Sequence, residues 1–330
     1  MLVAHPDGEL YKRASEGPDL VGLAPRNEID LSAAWRLSRV IRDYRPDIVH
    51  AHDPHAVAMS ATALSFGAVT PAPPLVASRR VDFHLSGNSF SRWKYRQVTQ
   101  FIAASGAIRD ILVHDGIPTS QVDVVHDGID VAKVQRLPPL DIHVEFWLPH
   151  GVPVIANVGA LVAHKGQKHL LDAIPLVMQE VPDVHLVILG EGELRPALEK
   201  QVKDLHLERA VRLPGFREDV LSLVKSADLF VMSSVTEGLG SAVLDAMAMG
   251  MAVVGTRAGG IPEAVVHRST GLLVPPGEAE PLAAAIIRLL KDSQLRSQYG
   301  DAGRARVEAH FGVDHMVEGT LAVYGNLLTR

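Results

Sequence analysis

The chain has 330 residues, and its 32 Lys and Arg against 38 Asp and Glu give a formal net charge of −6. This length predicts two domains with full cores, and the mild acidity of both halves argues against a general nucleic-acid binder. The sequence has no cysteine, which excludes disulfide bonds, thiolate catalysis and cysteine-ligated metal centres and favours a reducing compartment such as the cytoplasm.

Short apolar runs alternate with helical patterns along the whole chain, which is typical of parallel βαβ units. In the first half we predict strands at 2–4, 19–24, 47–52, 74–78, 100–104 and 122–126, and helices at 31–44, 56–64, 93–98 and 107–114. In the second half we predict strands at 153–158, 184–189, 211–213, 229–233, 252–255 and 271–274, and helices at 167–179, 194–205, 220–225, 241–249 and 282–290. The sequence therefore predicts an α/β fold with two doubly wound, Rossmann-like domains.

A proline-containing segment without a clean period, between residues 130 and 153, is predicted to link the two domains. We expect the first domain at 1–140 and the second at 141–312. The last segment, 313–330, has apolar residues at helical spacing. It is expected to form a helix that packs on either domain, with a crossing back to the first domain as one arrangement.

The segment 233–260 carries the most informative pattern in the sequence. An apolar strand ends at Ser233, a loop with two glycines follows, and a helix begins near Ser241. Glycines let the main chain approach a ligand closely, and the free N–H groups at a helix N-terminus favour an anion such as a diphosphate. Glu237 is expected at the mouth of this site, and Asp245 can face the same cleft. Taken alone, the pattern is equally compatible with an ordinary connection that carries one solvated acid.

The residues from Glu237 to Met247, EGLGSAVLDAM, resemble the E-G-x-x-x-x-x-x-E-A-M segment of a large family of glycosyltransferases. These are the retaining, nucleotide-sugar-dependent enzymes with the GT-B fold, glycosyltransferase family 4, also described as glycosyl transferases group 1. Further segments agree with this family in order and spacing: 46–52, 125–130, 158–161, 165–166, 189–192, 213–216, 227–230, 259–263 and 270–277. The resemblance implies two domains that face a cleft, with the donor on the second and the acceptor on the first.

The resemblance also implies roles for individual residues of the second domain. Glu237 would bind hydroxyls of the donor sugar, Asp245 would bind the nucleotide ribose, and Lys165 would offset the charge that grows on the diphosphate. Further donor contacts are implied for Gly159, for the diphosphate-binding amides of Leu239, Gly240 and Ser241, and for Gly215 and Phe216 at the nucleobase. Ala160 stands where the family often has an arginine, so one of two expected cations is missing.

In the first domain, His52 follows a predicted strand at its carboxyl end, where doubly wound folds place their ligands. The resemblance implies that His52 faces the cleft near the sugar, so the expected catalytic residues are His52, Lys165 and Glu237. His50 is expected to point to the other face of the sheet, and His55 is a weaker candidate.

The stretch 78–96 is rich in basic residues, namely Arg79, Arg80, Arg92, Lys94 and Arg96. Aromatic residues are interleaved with them, which indicates a surface for an anionic acceptor or for the inner face of an anionic membrane. The alternative is a solvated loop and helix whose aromatic side chains belong to the core.

The predicted reaction transfers a sugar from a nucleotide diphosphate sugar to an acceptor hydroxyl with retention of configuration, in the synthesis of a cell-surface glycan or lipopolysaccharide. No cofactor is expected, and the sequence has no Asp-x-Asp or similar motif that predicts a metal site. The expected partners are the nucleotide sugar and a glycan or glycolipid acceptor, without nucleic acid. Two alternatives stay open: a non-catalytic or inactive GT-B relative that binds a nucleotide sugar or a partner, and a nucleotide-sugar 2-epimerase. The oligomeric state is not predicted.

Residues 1–20 resemble the family's second strand rather than its first. We therefore expect the first domain to lack its first strand, the glycine-rich loop and the first helix. Because that strand normally lies centrally in the sheet, the chain as written is expected to be poorly stable or inactive.

Overall fold

A computed structural model describes residues 1–14, 17, 19–67 and 69–329 of the chain. The first half contains β1 (Leu2–Ala4), α1 (Glu9–Arg13), β2 (Leu20–Gly22), α2 (Leu31–Tyr44), β3 (Val49–Ala51), α3 (Pro54–Ser65), β4 (Leu75–Arg79), α4 (Ser89–Arg96), β5 (Gln100–Ala103), α5 (Gly106–His114), β6 (Val122–Val124) and α6 (Val131–Arg136). The remainder contains α7 (Ile142–Glu145), β7 (Val154–Val158), α8 (Gln167–Glu180), β8 (His185–Leu189), α9 (Arg195–Asp204), β9 (Val211–Gly215), α10 (Val220–Val224), β10 (Leu229–Met232), α11 (Ser241–Ala248), β11 (Val253–Thr256), α12 (Ile261–Ala264), β12 (Gly271–Val274), α13 (Ala279–Lys291), α14 (Ser293–His310) and α15 (Val313–Leu328). The predicted α/β class is confirmed.

The six strands of the second half form one parallel sheet in the order β12-β11-β10-β7-β8-β9. Helices cover both faces of this sheet, and buried aliphatic side chains form a separate cluster on each face. The chain enters in the middle of the sheet at β7 and winds outward in both directions, so the neighbours β7 and β10 continue into helices on opposite faces. A crevice opens at such a switch point, beyond the carboxyl ends of the strands, and ligands bind there in folds of this kind.

The strands of the first half form two parallel sheets rather than one. β1 pairs with β2, and a second sheet has the order β3-β4-β5-β6. A cavity of about 880 Å³ lies between β1 and β3 and is lined partly by apolar side chains, among them Val3, Leu37 and Val49. Within the described ranges, no strand lies between β1 and β3 to join the two sheets by hydrogen bonds.

Helix α2 is the clearest example of a local sequence signal in the first half. Asp30 accepts hydrogen bonds from the main-chain N–H groups of Ser32 and Ala33, which caps the helix. Ala33, Leu37 and Ile41 recur every four residues and are buried against α3 and its neighbours. The N-cap and the apolar stripe together fix where this helix begins and which face it buries.

The chain crosses between its halves twice, and the two crossings lie side by side. Ile129 and Gly312 form an isolated parallel bridge at this point. After the second crossing, α15 lies on the sheet of β3 to β6, where Val323 packs against Val76 and Ile102. The division of the chain at residues 140 and 312 stays a prediction.

Candidate active site

Two loops of the second half meet at the switch point of its sheet. One follows β7 and contains Lys165, and the other follows β10 and contains Glu237. The ammonium of Lys165 donates a hydrogen bond to Oε2 of Glu237 at 2.6 Å, and the hydroxyl of Ser234 donates to the same oxygen at 3.0 Å. Both charged side chains are largely buried, so salt screens this ion pair less than it screens a surface pair. The structure thus joins two predicted site residues that lie 72 positions apart in the sequence.

Two glycines permit the close packing of these loops. Gly166 has a φ of 64°, in the left-handed region, and a side chain there would overlap the main-chain oxygen of Ser233. Gly259 lies in the same way against the main-chain oxygen of Glu237. Because neither position has room for a Cβ atom, the placement of Lys165 and Glu237 depends on both glycines.

Helix α11 begins three residues after the Glu237–Gly238 peptide. Gly240 is its N-cap residue, with a φ of 89°, and no side chain caps the helix. Within the described parts of the chain, the N–H groups of Leu239, Gly240 and Ser241 have no hydrogen-bond partner. The helix dipole adds partial positive charge at this end, so the region beside Lys165 is electrostatically suited to an anion.

Asp245 lies on the second turn of α11, where burial raises the pKa of its carboxyl to about 6. Desolvation is the cause, since a carboxylate away from water loses hydration that the neutral acid does not need. A ligand hydroxyl that donates a hydrogen bond to Asp245 would favour the charged form. The predicted contact of Asp245 with the ribose stays a prediction.

The remaining predicted donor contacts lie at two other strand ends. Gly159 follows β7 and lies beside the side chain of Lys165. Gly215 ends β9 with a φ of 91°, next to the carboxylate of Glu191, and Phe216 is 70% exposed. Phe216 follows β9, the edge strand of the sheet, whereas Lys165 and Glu237 follow its two central strands. A nucleobase contact for Gly215 and Phe216 stays a prediction.

His52 lies just beyond the carboxyl end of β3 and lines a cavity together with Arg80 and Asp127. Its ring keeps contact with solvent, but protein surrounds enough of it that desolvation lowers the pKa of His52 below its usual value. The guanidinium of Arg80 lowers that pKa further. His52 is therefore a neutral ring at neutral pH that can donate or accept a hydrogen bond.

The prediction that His50 points to the other face of the sheet is wrong. The ring centroids of His50 and His52 lie 4.1 Å apart, because residues two positions apart in a strand share a face. The two nitrogens of His50 form hydrogen bonds with the hydroxyls of Tyr324 and Ser78. Burial, followed by the nearby His52 and Arg80, lowers the pKa of His50 to about 3.

The five basic residues of 78–96 do not form one surface, so this prediction needs correction. Arg79 is buried and donates a hydrogen bond to the carbonyl of Phe83, and Lys94 is 3% exposed. The ammonium of Lys94 lies 2.8 Å from the carboxylate of Glu28 and is thus neutralised inside the first half. Arg80, Arg92 and Arg96 are exposed, and Arg80 is paired with Asp127. The sequence shows the charges but not Glu28, the distant acid beside which Lys94 is buried.

Three polar residues at the contact between the halves were not among the predicted site residues. The hydroxyl of Ser105, the N-cap of α5, donates to the carbonyl of Gly238 at 2.7 Å. The carboxylate of Asp127 accepts from Arg80 at 3.0 Å, and burial raises the pKa of Asp127. The carboxylate of Glu263 accepts from the first turn of α5. Asp127 and Glu263 lie in segments that carry the family resemblance, which is the signal by which they can be found.

The doubly wound sheets are those of the GT-B fold, and a charged crevice lies at the switch point of the second sheet. Residues 141–306 match the family described as Glycosyl transferases group 1, and residues 2–133 match the family described as Glycosyltransferase Family 4. The chain belongs to the Glycosyl transferases group 1 family. The predicted enzyme class, a glycosyltransferase, and the predicted fold are thereby confirmed.

Relatives of this chain match it over most or about half of its length. The N-acetyl-alpha-D-glucosaminyl L-malate synthase of Bacillus anthracis is 26% identical over 306 residues, which cover 91% of this chain and 80% of that protein. The lipopolysaccharide core biosynthesis glycosyltransferase LpsE of Rhizobium meliloti is 33% identical over 173 residues, which cover 52% of this chain and 50% of LpsE. The structure of Anabaena Alr3699/HepE in complex with UDP and glucose is similar with a TM-score of 0.85 at 23% identity, covering 98% of this chain and 91% of that one.

None of the helices in the described ranges is long and apolar enough to cross a bilayer. Within the same ranges, no group of three His, Asp or Glu side chains is arranged to hold a metal ion.

Proposed function

We propose that the chain binds a nucleotide diphosphate sugar at the Lys165–Glu237 pair. The observation that carries this proposal is the position of that pair beside the uncapped N-terminus of α11. The diphosphate would accept hydrogen bonds from Lys165 and from the amides of Leu239 to Ser241, and the helix dipole would offset its charge. The complex of Anabaena Alr3699/HepE with UDP and glucose supports a donor of this class.

Donor binding would exchange the partners of the two charged residues. The ammonium of Lys165 pairs with the diphosphate instead of with Glu237. The released carboxylate of Glu237 then accepts hydrogen bonds from hydroxyls of the sugar. As the bond between the sugar C1 and the diphosphate oxygen breaks, negative charge grows on that oxygen. Lys165 and the helix N-terminus already face this charge, and such preorganised charges lower the barrier because they need no rearrangement during the reaction.

The transfer would retain the configuration at C1. The acceptor oxygen forms its new bond to C1 on the face from which the diphosphate departs, and the acceptor proton passes to the departing diphosphate. The balance is one C1–O bond broken, one formed and one proton moved to the leaving group. This route needs no strong protein base, which agrees with the lowered pKa of His52.

The acceptor would enter from the first half. His52, Arg80 and Asp127 line the same cavity and offer a neutral ring, a cation and a carboxylate to a hydroxyl-bearing acceptor. A glycan or glycolipid of the cell surface fits these groups, and the name of the Rhizobium relative LpsE supports that class. Peripheral contact with the inner face of a membrane would depend on Arg92 and Arg96, since Arg79 and Lys94 are buried.

Titration calorimetry with UDP-, GDP- and ADP-sugars tests the donor site. We expect one nucleotide class to bind, and Lys165→Ala to weaken that binding at least tenfold because it removes a charge-assisted contact to the diphosphate. Lys168→Ala is the matched control, since Lys168 is an exposed lysine on the first turn of α8. Equal losses in the two variants, or no binding of any nucleotide by the unaltered chain, would contradict the proposal.

A further inference from the structure

The loop that carries Glu237 is held from two sides. From the first half, the Ser105 hydroxyl donates to the carbonyl of Gly238, and Gly238 lies so close to the main chain of Arg80 that a side chain would clash. From the second half, the N–H of Gly260 donates to the carbonyls of Glu237 and Gly238 at 3.2 and 3.1 Å. The Glu237–Gly238 peptide is therefore enclosed between the start of α5 and the turn that leads into α12.

Glu263 joins the two sides of this enclosure. Its carboxylate, on α12, accepts hydrogen bonds from the main-chain N–H groups of Gly106 at 2.9 Å and Ala107 at 3.1 Å, in the first turn of α5. The same carboxylate accepts from Nε2 of His126 at 2.8 Å, just before the first crossing between the halves. Burial opposes its ionisation, but the hydrogen bonds from His126, Gly106 and Ala107 outweigh this effect and lower the pKa of Glu263.

Arg306, on α14, holds the main chain of α12 in place. Its guanidinium donates to the carbonyls of Glu263 and Ala264, both at 2.8 Å, and this ties α12 to α14. The guanidinium also lies over the ring of Phe311, which contacts the ring of His126. The groups around Glu263 thus form a continuous set of contacts that reaches the second crossing between the halves.

We propose that Glu263 is a positioning residue that fastens the first half to the second and thereby holds the Glu237 loop in place for the donor. The part of this inference that concerns the donor depends on the function proposed above. Removal of the carboxylate leaves the N–H groups of Gly106 and Ala107 and the ring of His126 without their acceptor. The halves then spend less time in the fastened arrangement, and the apparent affinity for the donor falls in proportion to that fraction.

The effect on the donor is tested with Glu263→Gln, which keeps the size of the side chain but removes its charge. We expect the KM for the donor to rise about tenfold while kcat changes less than the KM, because charged hydrogen bonds are lost and the reacting groups are untouched. The control is Asp292→Asn, since Asp292 caps α14 through the N–H of Leu295 but lies entirely within the second half. Equal KM values for both variants would overturn the role of Glu263 in positioning.

A measurement without ligand separates the fastening from the donor function. The chain has no cysteine, so spin labels at Thr119→Cys and Glu280→Cys, two exposed positions on opposite halves, report one distance. We expect a narrow distance distribution in the doubly labelled chain without further change, and an additional component at longer distance in Glu263→Gln. In Glu263→Asp, which keeps the charge on a shorter side chain, this longer-distance component should be less populated. An unchanged distribution in both variants overturns the proposal. A longer component in a chain that binds no nucleotide sugar would uphold the fastening and reject only the donor function.

Discussion

Replacement of Asp245 by asparagine is expected to stabilise the free protein at neutral pH. Burial raises the pKa of Asp245 from 3.8 to about 6, so above that pH the folded chain holds a charge that water solvates better in the unfolded chain. A rise of about two pH units corresponds to ~3 kcal/mol of unfolding free energy. The buried amide of asparagine has polar groups without hydrogen-bond partners, and these reduce the stabilisation by ~1–2 kcal/mol. The net stabilisation at pH 7.5 is therefore about 1–2 kcal/mol.

The pH dependence follows from the direction of the shift. Because the pKa is higher in the folded chain than in the unfolded chain, the folded state holds the extra proton between the two values, 3.8 and about 6. The penalty is absent below this window, grows as the pH rises through it, and is complete above it. Urea unfolding should thus find Asp245→Asn more stable than the unaltered chain at pH 7.5 but not below pH 4. A variant that is equally or less stable at pH 7.5, with exposed Asp301→Asn as the control, would refute the reasoning.

Three further substitutions test other parts of the account. Gly259→Ala should weaken donor binding at least tenfold in calorimetry, because its Cβ would overlap the carbonyl oxygen of Glu237, whereas Gly325→Ala, with open space around it, should bind normally. Ala160→Arg should raise kcat/KM for transfer, because it adds an exposed cation to the loop that carries Lys165; an unchanged or lower value would argue against charge stabilisation at this loop. Lys94→Met should cost ~1–2 kcal/mol in urea unfolding, because Glu28, which is only partly buried, loses the ammonium that it faces; an unchanged free energy of unfolding would show that the pair contributes nothing to stability.

The succession of strands along the chain can be predicted from the sequence, and the main polar pair of the site follows from the family resemblance. Lys165 and Glu237 each follow an apolar run that forms a strand, and in a doubly wound sheet the loops after the central strands share one crevice. Main-chain geometry therefore brings the two residues together without any information about side-chain contacts. The position of His52 after β3 is predictable for the same reason.

Features that depend on contacts between distant segments are not predictable in this way. Lysine is usually a surface residue, yet Lys94 is buried, and its ammonium donates a hydrogen bond to Glu28, which lies 66 positions earlier. Helix α14 escapes prediction because its packed face includes the small residues Gly300 and Gly303, whose lack of side chains lets the helix approach its neighbours but leaves no apolar period. Helix α4 begins at Ser89 rather than at 93 because Asn88 caps it, a polar signal that an apolar pattern does not register.

A crystal structure of the chain with its nucleotide diphosphate sugar tests the central claim most directly. The account predicts that the diphosphate lies within hydrogen-bonding distance of Nζ of Lys165 and of the amides of Leu239 to Ser241. It further predicts that the carboxylate of Glu237 leaves the ammonium of Lys165 and accepts from hydroxyls of the sugar. A nucleotide bound elsewhere, with the Lys165–Glu237 ion pair of 2.6 Å intact, would contradict it.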